Sequence, residues 1–196
     1  MLKLEMKYKG NRNYLHGTDF FNDITDNLFA RFSIGAIKKL SFKSFARNQC
    51  DLVLNERPGQ DKHVVGNGIW RKSEGDEIKF WIVETDLPVL SRYPFDEDGL
   101  VAPSCIEGNT ISLVAGNDYS AIENIVALTK KLNYALTPDV KGKWVFGQID
   151  MVKPMPEVVD KFQITRTSER KGMFSCNQIL INNEHVGEIR FIVGQP

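Results

Sequence analysis

The chain has 196 residues, of which 42% are hydrophobic, 10% aromatic and 26% charged, and this composition is typical of a globular protein with a sizeable core. Its 25 basic residues equal its 25 acidic residues in number, so no net charge favours nucleic acid or a membrane surface as a partner. No stretch approaches the roughly 18 to 20 apolar residues of a membrane span, and we expect no secretory signal peptide.

The cysteines indicate a reducing compartment. Cys50, Cys105 and Cys176 are odd in number, far apart and without a CxxC pair. This pattern argues against a disulfide framework and against a structural zinc site. We therefore expect a cytoplasmic protein with reduced cysteines. His63 and His185 have no second ligand at metal-binding spacing, so we expect no metal.

The first half of the chain predicts one strand, one helix and four further strands. Residues 2–9 form the first strand, and Thr18 or Asp19 caps the helix, since a short oxygen side chain accepts from the first free N–H groups. Gly35 supplies the helix stop. The inward face of the helix comprises Phe20, Phe21, Ile24, Leu28 and Phe32. Strands are expected near 36–45, 49–56, 63–72 and 77–85, with turns at Pro58-Gly59 and Glu74-Gly75-Asp76.

The second half predicts the same order of elements. A strand near 109–115 precedes a helix over about 119–136, and Pro138 follows that helix. The inward face of this helix comprises Ile122, Ile125, Val126, Thr129 and Leu132. Four strands follow, near 143–152, 160–168, 173–182 and 187–194. Between the halves, residues 88–108 are rich in Pro and Gly, which is typical of a linker.

A sequence echo supports a duplication. Residues 77–83 read EIKFWIV and residues 188–193 read EIRFIV, near the end of each half. Both halves therefore read β-α-β-β-β-β. We expect a first repeat over 1–87, a linker over 88–108 and a second repeat over 109–196.

One long helix followed by four strands indicates an antiparallel sheet wrapped around that helix. This pattern resembles the hot-dog fold, and two copies in one chain resemble a double hot-dog, an α+β fold with two long central helices. The superfamily contains acyl-thioester thioesterases and 3-hydroxyacyl thioester dehydratases. The resemblance implies a site that combines a loop before one long helix with a carboxylate on the helix of the other repeat.

The segment before the first helix, Tyr14-Leu15-His16-Gly17-Thr18-Asp19, fits the loop position. His16 is the candidate base, and the alternative is a surface or capping histidine. The Gly17 N–H is the candidate donor to the thioester carbonyl. Tyr14 is a candidate substrate-binding residue, whereas we expect Asp19 to be a helix-start residue.

Carboxylates on the two helices are the candidate acids. Glu123 lies in the first turns of the second helix and is the proposed partner acid, and the alternative is a solvated glutamate at the positive helix end. Asn124 beside it is a candidate substrate-binding residue. Asp23 is the corresponding carboxylate on the first helix, and we expect it to bind substrate unless it only forms part of the solvent face.

A tetrapeptide adds a link to one subfamily. Arg92-Tyr93-Pro94-Phe95 resembles a segment of bacterial 3-hydroxyacyl-carrier-protein dehydratases. Position 91 is Ser where that family has His, and the family's Gly-His-Phe-Pro-Gly motif is absent before the second helix. A single competent site would therefore use His16.

These features predict a 3-hydroxyacyl thioester dehydratase, with a thioesterase as the second candidate and a non-catalytic acyl-binding module as the third. The substrate would be carried by acyl-carrier protein or coenzyme A. No cofactor is expected, because elimination needs only acid–base groups. We expect no nucleic-acid or membrane partner, and a monomer with two repeats or a homodimer. A basic face could receive an acidic carrier or a phosphate; its members are Lys38, Lys39, Lys43, Arg47, Lys141, Lys143 and Lys153.

Overall fold

The computed structural model describes residues 1–73 and 75–195, and the chain divides into two compact units, Met1–Phe95 and Asp96–Pro196. The turn predicted at Glu74-Gly75-Asp76 begins at a residue outside the described ones. No helix in the described ranges is long and apolar enough to cross a membrane.

The first unit pairs one long helix with a mostly antiparallel set of strands. Its elements are β1 (Leu2–Leu4), β2 (Tyr8–Lys9), α1 (Gly17–Phe32), β3 (Ala36–Phe42), β4 (Asn48–Leu54), β5 (Val64–Ser73), β6 (Asp76–Pro88) and β7 (Arg92–Tyr93). The main sheet of this unit runs in the order β1-β4-β6-β5-β3, with antiparallel neighbours. The short strands β2 and β7 pair in parallel beside it.

The strand predicted over residues 2–9 is two strands. β1 pairs with β4 and β2 pairs with β7, so the chain changes partner between them. The side chain of Gln49 makes this change possible, because its Oε1 accepts from Met6 N–H (2.9 Å) and its Nε2 donates to Met6 O (3.0 Å). A side-chain amide thus replaces the backbone partner that a continuous strand would supply.

Both predicted ends of α1 need correction. His16 is the N-cap, instead of Thr18 or Asp19: its backbone is extended (φ −87°, ψ 141°) and its side chain accepts from Thr18 N–H. The helix ends at Phe32, and Ser33 rather than Gly35 makes the left-handed cap, with φ 58° and its N–H donating to Phe29 O at 2.7 Å. An imidazole nitrogen accepts like a short oxygen side chain, which a search for Ser, Thr, Asp or Asn caps misses.

The apolar face of α1 is as predicted, except at its last residue. Phe20, Phe21, Ile24 and Leu28 are buried, whereas Phe32 is half-buried. The helix contacts β3 and β1. Complete burial of Ile24 and Leu28 stabilises the unit by about 1.5–3 kcal/mol per side chain.

The second unit repeats this plan. Its elements are α2 (Glu97–Val101), β8 (Cys105–Glu107), β9 (Thr110–Val114), α3 (Ala121–Leu136), β10 (Lys143–Met151), β11 (Lys161–Arg170), β12 (Phe174–Ile181) and β13 (Glu184–Gly194). The strands of this unit run in the order β10-β13-β12-β11-β9-β8 with antiparallel neighbours. The predicted inward residues of α3 are buried, and the helix contacts β9, β10, β11 and β12.

The stretch 88–108 contains defined elements. It includes the end of β6, all of β7 and α2, and β8. The side chains of α3 hold α2 in place: Lys130 Nζ lies 2.9 Å from Glu97 Oε2, and Lys131 Nζ donates to Val101 O at 2.9 Å.

The two units share an element order but differ in strand order. In the first unit the last strand, β6, lies between β4 and β5. In the second unit the last strand, β13, lies between β10 and β12. The matched segments 77–83 and 188–193 therefore lie on strands with different neighbours. Their shared pattern reflects buried central strands, since Phe80 and Phe191 are both 1% exposed or less.

The sheet of the first unit depends on a close approach at Gly68. A Cβ atom there would lie 2.3 Å from Lys39 O on β3 and 2.3 Å from Phe80 Cζ on β6. Both distances are below van der Waals contact, and one of the two atoms belongs to the backbone. Only glycine therefore fits between these strands.

We predict that Gly68→Ala lowers the free energy of unfolding by about 3 kcal/mol, through overpacking and strand separation. Gly147→Ala on β10 is the matched control, because its nearest contact would be Ile192 Cγ2 at 3.2 Å, which a shift of a few tenths of an ångström relieves. Urea denaturation measures both variants. Equal losses in the two would contradict the argument.

Candidate functional site

A buried ammonium group organises the start of α1. Lys9 is 0% exposed, and its Nζ donates to Thr18 Oγ1 and to Asp19 Oδ1, both at 3.0 Å. Tyr93 O–H donates to the same Asp19 oxygen at 2.8 Å. The Lys9 Nζ also lies 4.1 Å from the centroid of the Phe95 ring. A lysine buried this completely needs such partners, because an unpaired buried charge is very costly.

His16 is attached to this cluster through Thr18. Its Nδ1 lies 2.7 Å from Thr18 Oγ1 and accepts from Thr18 N–H at 3.5 Å. The residue is half-buried. The ring is thus fixed against the first turn of α1, as the capping alternative expected, while a hydrogen-bond chain connects it to Lys9.

The first N–H of α1 remains available. Asp19 N–H donates to His16 O at 3.1 Å, and Thr18 N–H faces His16 Nδ1. No acceptor for Gly17 N–H occurs within residues 1–73 and 75–195. An open N–H at the positive end of a helix stabilises an anion or a polarised carbonyl oxygen.

Tyr14 belongs to the loop that carries His16. Its ring packs edge-on against Phe45, with centroids 4.9 Å apart. The next residue, Leu15, donates its N–H to Ala46 O at 2.8 Å. These contacts anchor the loop to the β3–β4 connection of the same unit.

Asp23 has an unusual carboxylate. Burial first, and then the nearby carboxylates of Asp26, Glu5 and Asp19, raise its pKa from 3.8 to about 6. Its Oδ2 is buried without a hydrogen-bond partner in the described part of the chain. Asp23 follows Asp19 by one helical turn, so both lie on one face of α1. A carboxyl group with a pKa near neutrality suits proton transfer.

The second unit uses Glu123 and Asn124 to close the start of α3. Ser120 and Glu123 form a capping box, in which Glu123 Oε2 accepts from Ser120 N–H at 2.8 Å and from Ser120 Oγ at 2.9 Å. Asn124 is buried and exchanges hydrogen bonds with Asn117, at 2.9 and 3.1 Å. These contacts give both residues a structural role, and their roles toward substrate stay predictions.

The tetrapeptide at 92–95 covers the cluster around Lys9. Tyr93 and Phe95 contribute the hydroxyl and the ring described above. The guanidinium of Arg92 donates to Gly10 O and, at 2.9 Å, to Arg12 O. This segment therefore supports the start of α1.

A second cluster in the first unit has the side-chain types of a catalytic triad. It consists of a hydroxyl, an imidazole and a carboxylate, those of Ser44, His63 and Glu84. Ser44 Oγ lies 3.3 Å from His63 Nε2, and His63 Nδ1 lies 2.8 Å from Glu84 Oε2. The His63 side chain is 59% exposed, and Glu84 Oε1 accepts from Arg47 N–H (2.6 Å) and Asn48 N–H (2.7 Å). Glu84 accepts hydrogen bonds from the backbone N–H groups of Arg47 and Asn48, and the His63–Glu84 ion pair is open to water. We therefore assign this cluster a structural role.

Thiol chemistry is disfavoured at the buried cysteine. Burial, together with the charges of Glu84 and Asp51, raises the pKa of the Cys50 thiol to about 12. A thiolate is therefore scarce at neutral pH. Cys105 is exposed and Cys176 is half-buried, and both are free thiols. No group of three or more His, Cys, Asp or Glu residues in the described ranges has the arrangement of a metal site.

Part of the predicted basic face is paired with glutamates. Lys38 Nζ lies 2.6 Å from Glu77 Oε1, and Lys153 forms an ion pair with Glu184. The hydrogen bonds from these lysines lower the pKa of each glutamate. The pairing reduces the positive charge that this face offers to an acidic carrier, whose binding there stays a prediction.

No protein-family model matches the chain, and no curated protein matches its sequence. Its structure is similar to that of a TesB protein from Mycobacterium avium subspecies paratuberculosis, with a TM-score of 0.54 and 9% sequence identity, over 97% of this chain and 91% of the other. The chain has a double hot-dog fold. The fold predicted from the sequence is thereby confirmed.

Two further hot-dog structures are similar at lower scores. A pyran synthase domain from module nine of the sorangicin pathway gives a TM-score of 0.49 at 9% identity, over 96% of this chain and 91% of that domain. The dehydratase domain of PpsC from Mycobacterium tuberculosis, in complex with C12:1-CoA, gives 0.48 at 10% identity, over 92% and 85%.

We predict that Asp23→Asn stabilises the protein at pH 7.5 by about 1–2 kcal/mol, a value reduced from the full pKa shift because the side chain is partly exposed. The raised pKa means that ionising Asp23 costs the folded state free energy. This cost is absent below pH 4, grows between the unfolded value of 3.8 and the folded value of about 6, and is complete above that.

The gain in Asp23→Asn should therefore disappear at pH 4, as urea denaturation at both pH values can measure. Asp86→Asn, at an exposed position on β6, is the control and should change stability much less, because Asp86 is not among the charges that raise the pKa of Asp23. A gain that persists unchanged at pH 4 would contradict this explanation.

Proposed function

We propose that this protein acts on acyl thioesters and that the start of α1 binds the thioester carbonyl. The open Gly17 N–H at the positive end of α1, directly after His16, carries this proposal. A carbonyl oxygen placed there would gain negative charge during attack on the carbonyl carbon or during enolate formation. Preorganised donors at such a position stabilise both transition states.

The proton on His16 decides which reaction fits best. Hydroxyl donors sit about 2.7–2.8 Å from their acceptors and N–H donors about 2.9–3.0 Å. The contact between Thr18 Oγ1 and His16 Nδ1 is 2.7 Å, whereas that between Thr18 Oγ1 and Asp19 Oδ1 is 3.2 Å. These distances favour donation from the Thr18 hydroxyl to Nδ1. The neutral imidazole then carries its proton on Nε2 and acts as a donor there.

Hydrolysis of the thioester uses this donor form. Gly17 N–H and His16 Nε2–H hold the carbonyl oxygen, and the Asp23 carboxylate takes a proton from water. The resulting hydroxide attacks the carbonyl carbon, the C–S bond breaks, and Asp23 returns the proton to the departing thiolate. A pKa of about 6 lets Asp23 both accept and return a proton near neutral pH.

Dehydration of a 3-hydroxyacyl thioester is the second candidate. The Arg92–Phe95 segment favours it, because this dehydratase-like tetrapeptide packs on the cluster that holds His16. In this reaction Nε2 of His16 removes a proton from the carbon next to the carbonyl, and Glu123 protonates the departing hydroxyl. Dehydration requires the opposite tautomer of His16, with the proton on Nδ1. We therefore rank hydrolysis first and dehydration second, whereas the sequence alone favoured dehydration. The carrier in either case is coenzyme A or acyl-carrier protein.

We predict that His16→Ala lowers kcat/KM for an acyl-CoA by about 100-fold, the usual loss when one carbonyl-stabilising donor is removed. Assays with saturated and 3-hydroxyacyl-CoA substrates should follow both free thiol and enoyl product. Thiol release identifies hydrolysis, and an enoyl thioester identifies dehydration. His185→Ala in the second unit is the control and should retain full activity. Unchanged turnover in His16→Ala would remove the proposed site.

We predict that Asp23→Asn lowers kcat by about 100-fold or more under hydrolysis, whereas Glu123→Gln leaves kcat within a few-fold of the native value. Dehydration predicts the reverse. Because Asp23 acts in its ionised form, kcat/KM for hydrolysis should rise as the pH increases through about 6. Asp86→Asn, an exposed aspartate on β6 that is not among the charges raising the pKa of Asp23, is the control. A flat pH profile between pH 5 and 7 would exclude Asp23 as the base.

A further inference from the structure

We infer that Lys9 is a positioning residue that selects the tautomer of His16 through the Thr18 hydroxyl. This inference rests on the proposed function for its catalytic meaning, but its structural content can be measured separately. Lys9 does not contact His16 in the contacts described above. It acts on Thr18 Oγ1, which contacts both side chains.

The hydrogen-bond capacity of each group supports this inference. A lysine ammonium only donates, so Thr18 Oγ1 must accept at the 3.0 Å contact with Lys9 Nζ. The single hydroxyl proton of Thr18 therefore points away from Lys9. It is left with His16 Nδ1 at 2.7 Å or Asp19 Oδ1 at 3.2 Å as its acceptor.

Asp19 is the weaker competitor for that proton. Its Oδ1 already accepts from Lys9 Nζ at 3.0 Å and from Tyr93 O–H at 2.8 Å. Donation from an ammonium also polarises the Thr18 hydroxyl and makes its proton a better donor to the next acceptor. The proton is thus directed to His16 Nδ1, which leaves the other imidazole proton on Nε2, the nitrogen needed to hold a carbonyl oxygen.

The burial of Lys9 keeps its ammonium group in place beside the Thr18 hydroxyl. Its side chain is 0% exposed, and two elements far apart in sequence hold it, through Asp19 on α1 and through Tyr93 and Phe95 near the end of the unit. Water does not compete for the ammonium protons at this burial. Without the cation, the Thr18 hydroxyl could turn and accept from Nδ1–H, and only the long 3.5 Å contact from Thr18 N–H would still favour an unprotonated Nδ1.

The test is the nitrogen-15 NMR spectrum of the histidine rings at pH 8, recorded for the full chain. The protein has three histidines, so the His16 signals are assigned by their loss in His16→Gln. We expect Nδ1 of His16 to be the unprotonated nitrogen in the native protein. In Lys9→Met, which keeps side-chain length without charge, the tautomer with a proton on Nδ1 should rise by about tenfold or more relative to the native protein.

Further variants separate this role from a general effect on folding. Lys131→Met is the matched control, since Lys131 Nζ likewise donates to a hydroxyl, that of Ser104, and also to Val101 O, but in the second unit. It should leave the His16 signals unchanged. Thr18→Val should shift the tautomer as Lys9→Met does, and the double variant should add nothing. Should Lys9→Met not fold, Lys9→Met with Asp19→Asn removes the unpaired carboxylate and allows the same measurement.

The outcomes distinguish this inference from the proposed function. A native tautomer with the proton on Nδ1, or an unchanged tautomer in both Lys9→Met and Thr18→Val, would overturn the inference. If the tautomer shifts while the native protein turns over no thioester, the inference holds and the proposed function fails. If both hold, Lys9→Met should lower kcat by about tenfold with KM changed less than about twofold, because only a donor to the transition state is weakened.

Discussion

The need to pair one buried ammonium ion shapes the candidate site. Lys9 lies on a two-residue strand and has no water contact, so its protons must be satisfied by the protein. Asp19 and Thr18 from the first turn of α1 meet this need, and Tyr93 and Phe95 close the remaining sides. The pairing of Lys9 therefore fixes three parts of the site: the first turn of α1, the loop that carries His16 and the 92–95 segment.

The two units solve the same problem at a helix start in different ways. α3 begins with a capping box, in which Ser120 and Glu123 satisfy each other's backbone N–H groups. At α1 the side-chain cap is a long contact, 3.5 Å from Thr18 N–H to His16 Nδ1, and the Gly17 N–H has no acceptor in the described chain. The start of α3 also has N–H groups without an acceptor in the described chain, at Ala121 and Ile122, but the Glu123 carboxylate is held at that helix start, whereas an imidazole lies beside the first N–H of α1. This contrast supports one competent site per chain, at the first helix.

Local signals in the sequence were sufficient for the helices and most strands. The spacing of Ile24 and Leu28, or of Ile125 and Leu132, specifies which face of each helix is buried, because 3.6 residues per turn is a local property. Strand order is not local. The positions of β5 and β6 depend on which neighbour each strand pairs with, and two buried strands with similar apolar patterns, such as 77–83 and 188–193, occupy different places. The echo between them therefore gave the correct element order but no information on pairing.

The candidate site was predictable only where its residues are adjacent in sequence. His16 and Gly17 precede a recognisable helix, so their location followed from the helix itself. The sequence did not indicate that Lys9 is buried, because a lysine in a short strand is ordinarily exposed. The residues around it are also distant in sequence, since Asp19 and Tyr93, which share a hydrogen bond, are 74 residues apart. The raised pKa of Asp23 comes first from its burial and also from nearby carboxylates, one of which, Glu5, another part of the chain brings near α1.

The free-energy cost of ionising Asp23 in the folded state also supports a site on this face of α1. An ionised carboxylate with a buried, unpartnered oxygen destabilises the folded protein at neutral pH, and asparagine at the same position would avoid the ionisation. Asp19, one turn earlier, also has a buried Oδ2 without a partner in the described chain, but its Oδ1 accepts from Lys9 and Tyr93, so the fold does pair a carboxylate on this face. Asp19 thus helps to hold the structure, whereas Asp23 destabilises it. This arrangement is expected if Asp23 serves to exchange a proton.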